Sequence, residues 1–280
     1  MQTVRRKPLR GLLIYTAADA ARNRWFIDEL RKAAEPEGIS LRLCISEETA
    51  LPQIAAMQPE LVINRSRIAE FSAFCEETLH IRVYNSTRVT AVTHDKWETH
   101  CFLRAHGLPT ADTERIAQRG VYPEMPLPLV AKPTDGHGGA GVEWVGDADA
   151  LERILREKTL PFLLQKPMRT GWDARIYMLG GQIYRAMLRT SAGLRSNFSL
   201  GGSAAPCQPD AEMRALTDAV QRVLPLDFAG IDLLRHPDGG YVIGEIEDAV
   251  GCRMLYQAGG CDPVRDYLHY IAEAEHERRA

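Results

Sequence analysis

Up to about residue 90, short apolar runs alternate with stretches of helical spacing: Leu12–Tyr15, a helix near Arg22–Ala34, then Leu41–Ile45, Leu61–Asn64 and Arg82–Asn85. That rhythm predicts a small parallel-sheet α/β unit. Ligands in open α/β sheets gather beyond the carboxyl ends of the strands. The segments Asn64-Arg65-Ser66-Arg67 and Asn85-Ser86 therefore mark a candidate crevice, with Arg65 and Arg67 as candidate anchors for a substrate carboxylate or, alternatively, as solvated loop cations. A helix is expected from His94 to His106, capped by Thr93 and closed by Gly107 and Pro109. Lys96 falls in its first turn, where the helix dipole disfavours a cation, which hints at a role other than helix stability.

Residues Thr113–Pro128 carry Pro123, Pro126 and Pro128 with little periodicity and read as a connection. A strand at Leu129–Lys132 follows, then a glycine cluster, a strand at Val142–Val145, a helix capped by Asp147, and a strand at Phe162–Gln165. From Asp173 onward the pattern turns to hairpins: Ala174–Leu179 with Gln182–Arg189 around Gly180-Gly181, and Phe228–Arg235 with Tyr241–Glu247 around Asp238-Gly239. Two helices frame them, one through Met213, Leu216, Val220 and Val223, the other starting at Asp262-Pro263.

Composition narrows the function. The 280 residues are 45% hydrophobic, enough for one large core or several small ones. A net charge of −3 offers no global field for nucleic acid or a membrane surface. No apolar run approaches the roughly 18 residues that cross a bilayer, and Asp19 interrupts the stretch after Arg5-Arg6-Lys7, so a cytoplasmic protein is expected rather than a secreted one. The 6 cysteines form no Cys-x-x-Cys pair and read as reduced, buried hydrophobes.

Three groups of residues carry chemistry. Gly136-His137-Gly138-Gly139-Ala140-Gly141 matches Gly-x-Gly-x-x-Gly, but it feeds a strand rather than a helix, which argues against a dinucleotide fold. A glycine loop between two strands suits a flap whose N–H groups face a triphosphate, with Lys132 supplying a point charge; a hairpin without ligand is the alternative. Second, a two-residue turn at Asp238-Gly239 sets Asp232 opposite Glu245, with Glu247 on the same face. Two carboxylates about 5 Å apart repel by roughly 3 kcal/mol at an effective dielectric near 20. A divalent cation would relieve this, and an all-oxygen set selects Mg²⁺, or Mn²⁺, over zinc; a solvated edge-strand face, should the register slip by one residue, is the alternative. On that account, Asp232→Asn with Glu245→Gln removes metal-dependent activity and stabilises the ligand-free chain. Third, Asp173, Arg175, Arg189 and Arg195-Ser196-Asn197, followed by Gly201-Gly202, supply guanidinium and amide groups suited to phosphoryl or carboxylate oxygens.

In this order and spacing the three groups resemble the ATP-grasp superfamily, and within it the RimK-type α-L-glutamate ligases. The resemblance runs through Asn85-Ser86, Asp95-Lys96, Lys132 and its glycine flap, Gln165, Asp173-x-Arg175, Arg195-Ser196-Asn197, Ile231-Asp232-Leu233 and Glu245-Ile246-Glu247. It implies an α/β ATP-grasp fold: a Rossmann-like N-terminal domain over 1–93, a small lobe with the flap over 94–165, and a large lobe with the metal site over 166–280. It implies ADP-forming ligation of a small-molecule or peptide carboxylate to an amine through an acyl phosphate. Lys96, Lys132 and the flap glycines Gly138, Gly139 and Gly141 would contact ATP. Gln165, Lys166, Pro167 and Met168 would meet the adenine, with Asp173, Arg175 and Ser196 at the nucleotide site. Arg189, Arg195 and Asn197 would hold the acyl phosphate, and Asp232, Glu245 and Glu247 would hold Mg²⁺. The chain departs from the family at Glu247, commonly Asn, and at Lys166-Pro167. Neither nucleic acid nor a membrane is implied as a partner, and homo-oligomerisation stays open. A non-catalytic ATP sensor and a small-molecule or peptide kinase are the alternative readings.

Overall fold

The computed structural model describes residues 8–135, 140–190 and 203–280. Strands β1 (Leu9–Tyr15), β2 (Ile39–Ile45), β3 (Leu61–Asn64) and β4 (Val83–Tyr84) form an all-parallel sheet in the order β2-β1-β3-β4. In β1, Leu12, Leu13, Ile14 and Tyr15 are buried, as a central strand covered on both faces requires. The expected first helix is α2 (Arg24–Ala34), and a short helix α1 (Ala17–Arg22) precedes it, with Asn23 between them. Helix α2 turns Phe26, Ile27, Leu30 and Ala34 inward at helical spacing. Helices α3 (Leu51–Ala56) and α4 (Ala69–Ala73) complete the crossovers.

Helix α5 (Thr87–Thr93) precedes α6 (Lys96–Ala105). Thr93 does not cap α6, because it ends α5. The cap is Asp95, whose carboxylate accepts from the N–H groups of Trp97 and Glu98, and Lys96 is the first helical residue. The stretch after Thr113 is not wholly a connection. Residues Thr113–Ile116 form β5, which pairs antiparallel with β8 (Phe162–Gln165) in a sheet ordered β5-β8-β6-β7, where β6 is Leu129–Pro133 and β7 is Glu143–Val145. Helix α7 (Ala148–Glu157) is capped by Asp147 and covers this sheet with Ile154 and Leu155.

The third sheet is antiparallel, ordered β11-β10-β9-β12-β13, with β9 Trp172–Leu179, β10 Gln182–Thr190, β11 Ser203–Pro206, β12 Phe228–Arg235 and β13 Tyr241–Glu247. Helix α8 (Ala211–Val223) packs on one face through Met213 and Val220. Helices α9 (Arg253–Ala258) and α10 (Pro263–Arg279) lie toward the first sheet, and Tyr267, Leu268 and Ile271 share one core with Leu13, Ile63, Tyr177 and Phe228.

The N-terminal sheet is fastened to this third sheet by polar groups as well. The Asn85 amide donates to the carbonyls of Phe228 (2.8 Å) and Asp248 (3.2 Å), while its oxygen accepts from the N–H groups of Asp227 (2.7 Å) and Phe228 (3.0 Å). Asn85 therefore has no spare capacity for a ligand; it joins two sheets. Nearby, Tyr84 donates to Glu275 (3.0 Å), a fully buried carboxylate that Arg278 neutralises at 2.7 Å.

Candidate active site

Register on the third sheet decides which charges meet. Asp232 pairs with Glu245 as the sequence suggests, but by a different route. The turn spans more than two residues: His236 N–H donates to the Gly240 carbonyl, and the first pairs are Arg235↔Tyr241, Leu234↔Val242 and Leu233↔Ile243. That is one residue off the register of a two-residue turn. A bulge at Gly244 restores it, and a Cβ there would lie 2.7 Å from Leu234 Cδ1, so glycine is required. On the other side of β12, Asp232 pairs with Arg175 of β9, while Asp173 pairs with Arg189 of β10. One cross-strand row thus runs Glu245, Asp232, Arg175, and a second sets Asp173 beside Arg189.

The contacts follow from that register. Arg175 grips Asp232 with two hydrogen bonds, Nε to Oδ1 at 2.7 Å and Nη2 to Oδ2 at 2.8 Å, and reaches Glu247 with Nη1 at 2.7 Å. Arg189 donates Nη2 to Asp232 Oδ2 at 2.7 Å and Nε to Asp173. Side-chain exposure is only 4% for Arg189, 7% for Asp173 and 10% for Asp232, so these are charge-assisted bonds in a poorly solvated place. Burial by itself would raise the Asp232 carboxyl, but Arg175 and Arg189 together outweigh it and hold it below the usual carboxylate range. Asp173 goes the other way: burial raises it despite Arg189, and the neighbouring Asp232 adds to the rise. The like-charge repulsion expected from the sequence is therefore relieved by two arginines of the chain itself.

Lysines from two other elements complete the site. Lys96, at the start of α6, places Nζ 3.3 Å from Glu245 Oε1. Lys132 of β6 is half-buried and donates to Gln165 Oε1 at 3.0 Å; Gln165 in turn donates to Thr113 Oγ1 at 2.7 Å, so β5 steadies the pair. The Lys132 ammonium is drawn down to about 8: burial lowers it most, Glu245 opposes the fall and Lys96 adds to it. The Lys166 backbone N–H donates to the Asp112 carbonyl and its ammonium to the Asp112 carboxylate, turning that side chain outward. Pro167 and Met168 continue the segment between β8 and β9. Gly141, at the far end of the glycine loop, is held by a 2.6 Å bond from Lys158 Nζ to its carbonyl. Gly138, Gly139, Arg195, Ser196 and Asn197 lie outside the described residues.

Metal-binding capacity can be judged from the same contacts. Among the described residues no three acidic, histidine or cysteine side chains are grouped to hold a metal ion. Both Asp232 oxygens are engaged by guanidinium, whereas among the described residues Glu245 Oε1 and Glu247 Oε2 meet one cation each. The donor set still fits Mg²⁺ in kind, since that ion takes one or two carboxylates and completes its shell with water and phosphate oxygens.

Arg65 is buried and tied to the protein's own backbone. Its Nη2 donates to the carbonyls of Ala249 (3.0 Å) and Val250 (2.9 Å), and its Cζ lies 4.8 Å from the Phe26 ring centroid. It holds the loop after β13, which also receives the Tyr177 hydroxyl at the Gly251 carbonyl (2.9 Å). Gly230 lets this loop approach, because a Cβ there would lie 2.8 Å from Val250. The roles of Arg65, Asn85 and Lys158 carry no sequence signal, since each depends on a carbonyl brought up from a distant segment.

A model of the RimK-like ATP-grasp domain matches residues 93–271, and the chain belongs to that family. It is 34% identical to human N-acetylaspartylglutamate synthase A over 66% of this chain and 51% of the relative, so it spans about half that protein's length. It is 29% identical to human beta-citrylglutamate synthase B over 88% of this chain and 67% of that one. The fold is that of ATP-grasp proteins: D-alanine–D-alanine ligase from Bacillus anthracis superposes with a TM-score of 0.75 at 14% identity, covering 97% of this chain and 98% of the other. No helix among the described residues is long and apolar enough to cross a membrane.

Proposed function

We propose that the protein is an ATP- and Mg²⁺-dependent carboxylate–amine ligase acting on small molecules or peptides. The observation that carries this reading is the array of Asp173, Arg175, Arg189, Asp232, Glu245 and Glu247 on one sheet, faced by Lys96 and Lys132 from two other elements. Such an array positions and neutralises rather than removing protons, which is what phosphoryl transfer demands. Family membership, and relatives named as synthases of N-acetylaspartylglutamate and of beta-citrylglutamate, support the same reading.

The reaction balances as two displacements. A carboxylate oxygen attacks the γ-phosphorus of ATP and ADP leaves, giving an acyl phosphate. An amine nitrogen then attacks the acyl carbon and phosphate leaves, forming the amide with loss of a proton. Lys96 and Lys132 hold the phosphates, with Gly138, Gly139 and Gly141 covering them. Lys166 has spent its N–H on Asp112 and Pro167 has none, so the Met168 N–H is the donor this segment can offer the adenine edge, beside Gln165. Arg189, Arg195 and Asn197 orient the acyl phosphate, with Asp173, Arg175 and Ser196 beside them. Glu245 and Glu247, next to Asp232, would hold Mg²⁺, which supplies charge neutralisation for the β- and γ-phosphates. In this reading 1–93, 94–165 and 166–280 are the N-terminal unit and the two clamping lobes, supported by one sheet in each segment.

The test is ADP and free phosphate measured together with ATP, Mg²⁺ and pooled amino acids, dipeptides and small carboxylates. Equal ADP and phosphate with a condensed product is expected, and Lys132→Ala should abolish both while leaving the protein folded. ADP without phosphate would identify a kinase, and ATP binding without either product a sensor.

A further inference from the structure

The glycine loop between β6 and β7 is fastened at both ends by groups that do not belong to it. At its start the carbonyl of buried Thr134 accepts from the Lys96 N–H at 2.9 Å. At its end Gly141 has a left-handed backbone (φ 71°), and a Cβ there would lie 3.3 Å from Pro133 Cγ and Cδ, so the two stems approach closely. The Gly141 carbonyl accepts from Lys158 Nζ at 2.6 Å, and the same ammonium meets Glu143 Oε1 at 2.9 Å.

Lys158 is built into the lobe and is not a solvated surface cation. Its side chain is 9% exposed, and burying so long a stem costs rotamer freedom that its two bonds must offset. Its backbone is held first: the N–H donates to the Ile154 carbonyl at the end of α7 (3.0 Å), and the carbonyl accepts from Arg119 Nη2 (2.8 Å). The direction of approach follows from the strand pairing. Ala131 lies in the core under α7 and pairs with Glu143, so Glu143 shares that face, while Lys132, one residue on, points to the other. Lys158 therefore reaches the loop from the side of the sheet opposite the lysine assigned to the phosphates. A peptide unit is planar, so holding one carbonyl fixes the direction in which the chain enters β7. We propose that Lys158 is a positioning residue for ATP: by holding the Gly141 carbonyl from the α7 side, it fixes the closing stem of the glycine loop against the terminal phosphates. The inference rests on the nucleotide reading of that loop and is independent of what the phosphate is transferred to.

The experiment is calorimetric binding of ATP and of AMP, each with Mg²⁺, to the full chain and its variants. Lys158→Met, which keeps the stem and drops the ammonium, should weaken ATP about 10- to 100-fold. AMP, which lacks the β- and γ-phosphates, should bind the same variant as it binds the wild type, which also shows that the variant is folded. Lys158→Arg, which restores a cationic donor, should recover part of the loss. Arg153→Gln removes the other partner of Glu143 and serves as the control, with both affinities unchanged. ATP affinity unaltered by Lys158→Met would overturn the assignment. So would equal losses for ATP and AMP, which mark a general loosening of the lobe, or an ATP loss as large in Arg153→Gln. A wild-type chain that binds no ATP would defeat the nucleotide reading and this inference with it. Lys158-dependent ATP binding in a chain that makes no ADP would defeat the ligase reading alone.

Discussion

Replacing Asp232 by asparagine tests whether arginines rather than a metal ion settle the charge balance of the ligand-free site. The carboxylate accepts three guanidinium hydrogen bonds and faces Glu245 across β12 and β13. At an effective dielectric of 20, repulsion from one carboxylate about 5 Å away is roughly 3 kcal/mol, while two guanidiniums at about 4 Å attract by roughly 8 kcal/mol together. Attraction wins, which reverses the stabilisation expected from the sequence. Asparagine keeps the shape but turns an N–H₂ against at least one guanidinium. Breaking a buried pair in this way costs about 3–5 kcal/mol. With a urea m value near 3 kcal/mol/M, the midpoint should fall by about 1–1.7 M. The assay is urea unfolding without Mg²⁺ or nucleotide, followed by fluorescence of the 4 tryptophans. Glu245→Gln, whose side chain is 34% exposed, serves as the control and should move stability by less than about 1 kcal/mol. An Asp232→Asn midpoint equal to or above that of the wild type would mean that Arg175 and Arg189 do not outweigh the repulsion from Glu245.

Two further outcomes follow from other parts of the site. The Lys132 ammonium, drawn down to about 8, is charged in the unfolded chain but neutral in the fold between that pH and its ordinary value near 10.4. Its burial therefore costs stability fully below pH 8, and the cost fades as pH rises through that window. Phosphates restore the charge, so ATP binding at pH 9 should take up a proton and weaken as pH rises; calorimetry in buffers of different ionisation enthalpy reads this, and zero uptake contradicts it. Asn85→Ala should destabilise the protein by about 2–4 kcal/mol, measured by urea midpoint, because it strands buried backbone groups of residues 227, 228 and 248; a loss under about 1 kcal/mol would contradict the joining role.

What the sequence made legible were features written within one segment. Strands β8, β12 and β13 fall where apolar runs end at turn residues, and Asp147 caps its helix as expected. The Asp232–Glu245 pairing was legible only because two departures cancel, a wider turn and the Gly244 bulge. Strand β5 was hidden by the prolines that follow it, since its partner β8 lies far along the chain. The cap of α6 was misplaced by two residues because Thr93 and Asp95 are both good caps, and only the preceding helix α5 decides between them. The grip of Arg175 and Arg189 on Asp232 was illegible for a topological reason: β9 pairs with β12 although β10, β11 and α8 separate them in the chain, so the charges meet only once the sheet order is known.

Ligation through an acyl phosphate would carry one carboxylate oxygen of the substrate into the released phosphate. It is tested most directly by supplying ATP, Mg²⁺ and a pool of amino acids and dipeptides labelled with ¹⁸O in their carboxylates, in unlabelled water. Substrate-dependent phosphate carrying one ¹⁸O atom, with an amide product in equal amount, is the predicted result. Phosphate free of label, or no substrate-dependent phosphate at all, would contradict the account.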